Sequence, residues 1–274
     1  MKITAKTKMC VIIGNPVEHS LSPAMHNAAY EALGIDNQFV FAAAKVKVED
    51  VKKVVEAVRV MGIRGLTCTI PHKLEVMKYL DEIDLIAQKI GAVNTVVNDD
   101  GVLRGYNTDW LGVVTPLKKV VKLKGKKVAI LGAGGAARAM SYGAMAEGAK
   151  LKIFNRDFEQ AKSLAQEFEG EAGDFSEIRE LIDFDIIMNA TPVGMTPREN
   201  QTLVPEELFN ANQVVFDAVY TPRETRLLRE AKLRGAKIIT GLEMLLYQGT
   251  AQFELYTKRK APVEVMRRVL LSTK

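Results

Sequence analysis

Apolar residues come along this chain in short bursts, and between the bursts lie longer stretches where apolar and polar positions alternate with helical spacing. Met9–Gly14 is the first burst and reads as a buried strand stopped by Gly14-Asn15-Pro16. Ser22-Pro23 predicts a helix start, with serine as N-cap and proline at the first helical position. Gly34 predicts its end after Leu33. A strand over Gln38–Ala44, an amphipathic helix over Val48–Met61 and a strand over Gly65–Ile70 follow, the last ended by Pro71. Ala92–Val97 and Val102–Tyr106 flank Asp99-Asp100-Gly101, a hairpin signal. Asp109–Val121 reads as a helix and closes this series.

A second series starts after the charged stretch Lys122–Lys127. Strands are predicted over Lys127–Leu131, Lys150–Phe154, Phe184–Met188, Gln213–Asp217 and Ala236–Ile239. Helices are predicted over Gly135–Glu147, Phe158–Phe168 and Arg223–Arg234, and two more over Leu242–Tyr256 and Pro262–Leu271 end the chain. Repeated βα units predict an α/β protein with parallel sheets covered by helices on both faces. The change of series places a domain boundary near Asp109: an α/β domain over residues 1–109, and a dinucleotide-binding, Rossmann-type domain over 110–242.

Composition adds limits. The 274 residues are 47% hydrophobic, enough for a core in each of two domains, and carry a net charge of +5. That charge is spread along the chain with no nucleic-acid-binding motif, so it favours small anions such as phosphates and carboxylates over nucleic acid. The two cysteines, Cys10 and Cys68, sit in apolar runs and read as buried thiols, and no spacing suggests a metal site. No stretch reads as a signal peptide or a membrane span, so the expectation is a cytoplasmic protein.

The chemistry is most legible after the strand Lys127–Leu131. Gly132-Ala133-Gly134-Gly135-Ala136-Ala137-Arg138 is a G-x-G-x-x-A turn leading into a helix. In a dinucleotide site the first glycine makes the tight turn, the second lets backbone approach a pyrophosphate, and the alanine keeps helix and strand close. The helix N-terminus adds N–H donors and partial positive charge. The next strand ends in Asn155-Arg156-Asp157. An arginine there suits the 2′-phosphate of NADP, whereas an acidic residue would suit the ribose of NAD. Asp157 either opposes a phosphate or caps the next helix. NADP is the favoured cofactor and NAD the weaker alternative. Asn189-Ala190-Thr191-Pro192-Val193-Gly194-Met195, after a third strand of this series, either faces the ligand crevice or is an ordinary turn.

Three polar clusters lie at strand ends of the first domain: His19-Ser20-Leu21-Ser22-Pro23, Thr69-Ile70-Pro71-His72-Lys73, and Asn94-Thr95 with Asn107-Thr108-Asp109. Hydroxyls, amides and one charge of each sign suit a small hydroxylated substrate bearing a carboxylate. An apolar ligand would leave them unpaired, at about 1–3 kcal/mol each. Moving a hydride from a secondary alcohol needs a proton acceptor, and Lys73 with Asp109 is the available pair. The plainer readings are a solvated lysine and two helix caps, Ser22 and Asp109.

These motifs resemble the shikimate dehydrogenase family in order and over nearly the whole chain. The resemblance rests on Ser20-Leu21-Ser22-Pro23, Thr69-x-Pro71-x-Lys73, Gly91–Thr95, Gly105-x-Asn107-Thr108-Asp109-x-x-Gly112, the Gly132–Arg138 turn, Asn155-Arg156, Asn189–Met195, Asp217-x-x-Tyr220-x-Pro222-x-x-Thr225 and Gly241–Gln248. It implies NADP-linked interconversion of 3-dehydroshikimate and shikimate, with no metal. It implies that Ser20 and Ser22, helped by Tyr220, bind the substrate carboxylate. Thr69, Asn94, Asp109 and Gln248 would contact ring hydroxyls, and Lys73 with Asp109 would be the acid–base pair. Asn155 and Arg156, beside Asp157, would hold the adenosine phosphate. Gly132, Ala133, Gly134, Gly135 and Ala136 would cradle the pyrophosphate. Asn189, Thr191 and Val219 would line the cofactor site, and Met195 and Gly241 would border the nicotinamide. It further implies that helices within 243–274 return to complete the first domain, the substrate domain, and that the protein is a monomer or homodimer.

Two departures stand out. The family commonly has Asn-Arg-Thr where this chain has Asn155-Arg156-Asp157, which keeps NAD open. His72 stands where many members have phenylalanine and reads as a packing or hydrogen-bonding residue. The alternatives are a quinate/shikimate dehydrogenase able to use NAD, a catalytically silent dinucleotide-binding regulator, and a folate-linked dehydrogenase, against which the Ser-Leu-Ser-Pro run argues.

Overall fold

The computed structural model describes residues 3–272, and the chain in it forms two units. One takes the residues up to Thr108 together with those from Gln248 onward, and the other is Asp109–Tyr247.

The first unit contains strands β1 (Lys8–Gly14), β2 (Phe39–Lys45), β3 (Gly65–Cys68), β4 (Glu82–Ile83), β5 (Thr95–Asp99) and β6 (Val102–Tyr106), with helices α1 (Ser22–Ala32), α2 (Val51–Val60) and α3 (Leu85–Ile90). Its sheet runs β2-β1-β3-β5-β6-β4. β1 pairs in parallel with β2 and β3, because α1 and α2 supply the crossovers that parallel neighbours need. β5 and β6 form the hairpin read from Asp99-Asp100-Gly101, and both β3·β5 and β5·β6 are antiparallel. The hairpin adds an antiparallel part to an otherwise parallel arrangement, since a two-residue turn can only return the chain antiparallel. Val51, Val55 and Val58 of α2 are buried against Ile13, Leu66 and Val96 of the sheet.

Ser22 also needs correction. Leu21 occupies the N-cap position of α1 and Ser22 is the first helical residue. Its backbone N–H is satisfied by Ser20 Oγ at 3.3 Å. The hydroxyl that serves the helix start therefore lies two residues earlier than the composition of Ser22-Pro23 suggests.

The second unit contains α4 (Asp109–Val120), β7 (Lys127–Leu131), α5 (Gly135–Ala146), β8 (Lys150–Phe154), α6 (Phe158–Glu167), β9 (Glu171–Gly173), β10 (Ile186–Asn189), β11 (Val214–Asp217), α7 (Arg226–Leu233) and β12 (Lys237–Ile239). Every pairing is parallel, in the order β12-β11-β10-β7-β8-β9. Counted from β7, that is the 3-2-1-4-5-6 order of a dinucleotide-binding sheet, whose direction of winding reverses between β7 and β10. The strands are buried on both faces. Val128 and Ile130 of β7 join one core, and Ala129 and Leu131 join the core on the opposite face.

Helix α8 (Gly241–Thr257) begins in the second unit, and α9 (Val263–Ser272) ends the described chain. Within the first unit, α9 packs on α1, and Tyr256 of α8 lies so close over β3 that a Cβ on Gly65 would fall 2.5 Å from its ring. Arg64 donates from Nε to the Tyr256 carbonyl at 2.9 Å, and the C-terminal helices are thereby part of that unit's fold. Among the described residues no helix is long and apolar enough to cross a membrane, and no cluster of metal-ligating side chains is present.

Candidate active site

The turn between β7 and α5 sits at the point where the second unit's sheet reverses its winding. Gly132 has φ of +110° and donates its N–H to the Phe154 carbonyl at 2.7 Å, which ties the turn to β8. A Cβ here would meet Thr191 Cγ2 at 2.9 Å, so this turn and the loop after β10 are in direct contact. Gly134 is the N-cap of α5, with no side chain capping the helix, and a Cβ built on it would meet nothing within 4 Å. An uncapped helix start facing open space leaves backbone N–H donors for an anion, and this is the physical fit expected of a pyrophosphate cradle. Ala133, Gly135 and Ala136 stand half-buried around it, while Ala137 is fully buried beneath, where any larger side chain would push helix from strand.

Asn155, Arg156 and Asp157 leave β8 beside this turn. Asp157 Oδ1 accepts from Glu159 N at 3.1 Å and Gln160 N at 3.3 Å, so its carboxylate caps α6. Asn155 Nδ2 donates to the Asp157 carbonyl at 3.1 Å. Arg156 is exposed and has no hydrogen-bond or ion-pair partner among the described residues. A guanidinium held beside a fixed loop in this way suits a phosphate.

The loops after β10 and β11 are locked by buried polar groups. Asn189 Oδ1 accepts from Thr191 N and Oγ1 at 3.0 and 2.7 Å, and its Nδ2 donates to Asp217 Oδ1 at 2.9 Å. Asp217 also accepts from Val219 N at 3.0 Å and from Thr225 Oγ1 at 2.6 Å. Full burial pushes its carboxyl up to about 6, with these three donors opposing the rise. Val219 is buried, and Met195 is half-buried on the turn after Asn189. Gly241 is packed so tightly that a Cβ would lie 2.5 Å from the carbonyls of Ala218 and Val219. Tyr220 follows, its hydroxyl pushed up to about 12 by burial, which keeps it a neutral donor. Asp109, at 4% exposure, opens α4 in this same unit.

In the first unit, the Thr69–Lys73 loop is pinned from three sides. Thr69 N donates to Ile13 O at 3.0 Å, and Val93 N donates to Lys73 O at 2.9 Å. His72 Nε2 lies 2.9 Å from the Val46 carbonyl, an acceptor only, so Nε2 carries the proton. His72 is thus a structural hydrogen-bonding residue, and burial moves its pKa below the ordinary histidine value. The pinning leaves Thr69 and Lys73 half-buried at the end of β3. Asn94 is buried, with 1% exposure, and its Oδ1 accepts the Thr108 N–H at 2.8 Å. Its Nδ2 stands 2.9 Å from Thr108 Oγ1 and 3.4 Å from Gln248 Oε1 on α8. Asn94, Thr108 and Gln248 are therefore one cluster, while Ser20 and Ser22 stand at the start of α1.

Three buried residues escaped the sequence reading of the site. Thr108 lay inside the Asn107–Asp109 motif without a role. Asp217 and Thr225 bracket a quoted motif, and the Thr225 hydroxyl both caps α7 and donates to Asp217. The available signal was spacing: an acid at a strand end followed by a threonine N-cap.

Residues 12–96 match the family described as shikimate dehydrogenase substrate binding domain, residues 116–227 shikimate/quinate 5-dehydrogenase, and residues 241–271 shikimate 5′-dehydrogenase C-terminal domain. A shikimate dehydrogenase (NADP+) of Methanobrevibacter smithii is 43% identical, with 99% of each chain covered. A crystal structure of a shikimate dehydrogenase in complex with NADP+ is 42% identical and superposes with a TM-score of 0.94, over 100% of this chain and 98% of that one. A shikimate 5-dehydrogenase from Listeria monocytogenes, in complex with shikimate and NAD, is 38% identical with a TM-score of 0.90 over 98% of both. With both halves matched in order over essentially the full length, the chain belongs to the shikimate dehydrogenase family.

Proposed function

We propose that this chain is an NADP-dependent oxidoreductase that reversibly reduces 3-dehydroshikimate to shikimate. The observation that carries the reading is a pairing: the chain holds an uncapped phosphate-binding turn in one unit and a buried wall of amides and hydroxyls in the other. A dinucleotide alone would need only the first. The wall suits a small polyhydroxylated acid, since each buried donor or acceptor left unmatched would cost about 1–3 kcal/mol.

When bound, NADPH supplies the hydride that reaches the carbonyl carbon. The backbone from Gly132 to Ala136 holds its pyrophosphate, Arg156 with Asn155 its 2′-phosphate, and Asn189, Thr191, Met195, Val219 and Gly241 the walls toward the nicotinamide. Ser20 and Ser22 take the substrate carboxylate by hydroxyl hydrogen bonds, with the neutral Tyr220 as a further donor. Thr69, Asn94, Asp109 and Gln248 hold the ring hydroxyls. Lys73 delivers a proton from Nζ to the carbonyl oxygen during reduction and withdraws it during oxidation. Asp109 orients that exchange and holds the proton's hydroxyl. The two buried, unpaired thiols are consistent with a reducing, cytoplasmic setting.

A rate assay with shikimate and quinate, each with NADP and with NAD, tests the reading. Shikimate with NADP is expected to be fastest; faster turnover of quinate, or no turnover of shikimate, overturns it. Lys73→Ala is expected to lower kcat at least about a hundredfold, as loss of a general acid–base does, while NADP binding by fluorescence titration is retained.

A further inference from the structure

The orientation of an asparagine amide decides whether it offers a donor or an acceptor to a ligand, and in this unit a single backbone N–H decides it. Thr108 N can only donate, so the Asn94 atom 2.8 Å away is the oxygen. Thr95 Oγ1 lies 2.7 Å from that same oxygen and must give it its only proton. Thr95 can then only accept from its other neighbours, Thr108 Oγ1 at 3.4 Å and the Gln252 amide at 3.0 Å, which fixes the Gln252 atom there as Nε2. The Gln252 oxygen therefore turns toward Thr67 Oγ1, 3.5 Å away. The same Thr67 hydroxyl lies 2.9 Å from the Tyr256 hydroxyl. The protons from Gln252 through Thr95 to Asn94 point the same way, and Thr67, Thr95, Gln252 and Tyr256 are all buried.

We infer that Gln252 and Thr95 are positioning residues: they hold Asn94 so that its NH2 group, not its carbonyl, is presented to a ring hydroxyl of the substrate. One Asn94 proton goes to Thr108 Oγ1. The other lies on the side of Gln248 Oε1, 3.4 Å away. The carbonyl already accepts from Thr108 N and from Thr95, so turning the amide over would set two donors against an NH2 group in a buried place. The selectivity is for a ligand oxygen that accepts at this position. The inference rests on the reading that Asn94 meets the substrate, but the proton order itself does not.

The test removes and restores one hydroxyl. Thr95→Val keeps shape and deletes the link, and Thr95→Ser returns it. Thr95→Val is expected to raise KM for shikimate at least about tenfold, with KM for NADP unchanged and Thr95→Ser close to the parent enzyme. Gln252→Leu is expected to do the same, and the double variant to be no worse than the stronger single one, because both break the same chain. Shikimate KM within twofold of the parent in Thr95→Val and Gln252→Leu overturns the inference. Equal losses in Thr95→Val and Thr95→Ser overturn it as well. The ligand-free protein gives an independent check by NMR: the Gln252 side-chain amide protons should be protected from exchange in the parent and Thr95→Ser, and unprotected in Thr95→Val. Protection unaffected by Thr95→Val refutes the proton order, whereas failure of the parent enzyme to turn over shikimate refutes the function and leaves that NMR result standing.

Discussion

The Asp157 carboxylate already accepts two backbone N–H groups at the start of α6, at 3.1 and 3.3 Å. Its charge near the cofactor loop is therefore a by-product of capping, and an uncharged cap should serve the fold equally well. Asparagine caps as well as aspartate does. Asp157→Asn is expected to leave the melting temperature unchanged and to tighten NADP binding several-fold, because the proposed 2′-phosphate site loses one nearby negative charge. Asp157→Ala should instead cost roughly 1 kcal/mol of stability through the lost cap. Arg156 is the complementary case, since it is exposed and has no partner among the described residues. Arg156→Ala is expected to weaken NADP at least about tenfold, the worth of a charge-assisted hydrogen bond, and NAD far less. Equal weakening of the two cofactors, by calorimetry, would remove Arg156 from the phosphate.

At the scale of the element, the β7–α5 turn separates two uses of glycine. Gly132 is needed by the fold: its φ of +110° and the Thr191 contact at 2.9 Å mean that Gly132→Ala should cost about 1–3 kcal/mol even without ligand. Gly134 has φ of −86° and open space over its Cβ, so Gly134→Ala should leave the ligand-free melting temperature unchanged or slightly raised. It should nevertheless weaken NADP, because the added methyl fills the approach to the helix N-terminus. Thermal melts with and without NADP distinguish the pair, and a destabilised ligand-free Gly134→Ala would refute this division. The turn was readable in the sequence because all of its residues are consecutive, and so were the βα alternation and the β5–β6 hairpin. The short elements were not. β9 is three residues, Glu171–Gly173, with no apolar burst, and only its pairing with β8 makes it a strand. α3 did carry signals, an Asp84 cap and a left-handed Gly91 after Ile90, but its six residues are too few for helical periodicity to register. The site divides in the same way. Lys73, Asn94 and Asp109 lie in contiguous motifs, whereas Gln252 reaches Thr95 across 157 residues, a relation that no local pattern encodes.

For the whole molecule, the two units carry buried titratable groups of opposite sign. His26 is fully buried in the first unit, its ring stacked 4.3 Å from Phe41 and flanked by Tyr30, Phe253 and Tyr256. Burial pushes its pKa down to about 3, the side chain of Gln252 opposing only weakly. An unfolded histidine takes up a proton near pH 6.5 while the folded one resists, so the unfolded state holds more protons between about pH 6.5 and 3. The first unit should lose about 1.4 kcal/mol per pH unit as pH falls through that window. Asp217 in the second unit works the other way. With its pKa at about 6 against an ordinary 3.8, the folded state holds more protons between those values. The second unit should gain about 2 kcal/mol as pH falls from 6 to 4. Below that, Asp185 works the other way: against the upward push of its burial, Lys126 and the Lys127 N–H hold its pKa below the ordinary value. The single tryptophan, Trp110 in α4, belongs to the second unit and packs edge-on to Tyr142 at 5.7 Å. Its fluorescence therefore reports that unit, while far-ultraviolet circular dichroism reports both. Urea titrations at pH 7, 6, 5 and 4 should show the Trp110 transition moving to higher urea as pH falls and the remaining dichroism transition moving to lower urea. If the units unfold together, the slopes cancel between pH 6 and 4, and His26→Phe should uncover the Asp217 gain in the common transition. A Trp110 transition that weakens from pH 6 to 4 in both the parent and His26→Phe would contradict the placement of Asp217 as a buried, proton-holding carboxyl.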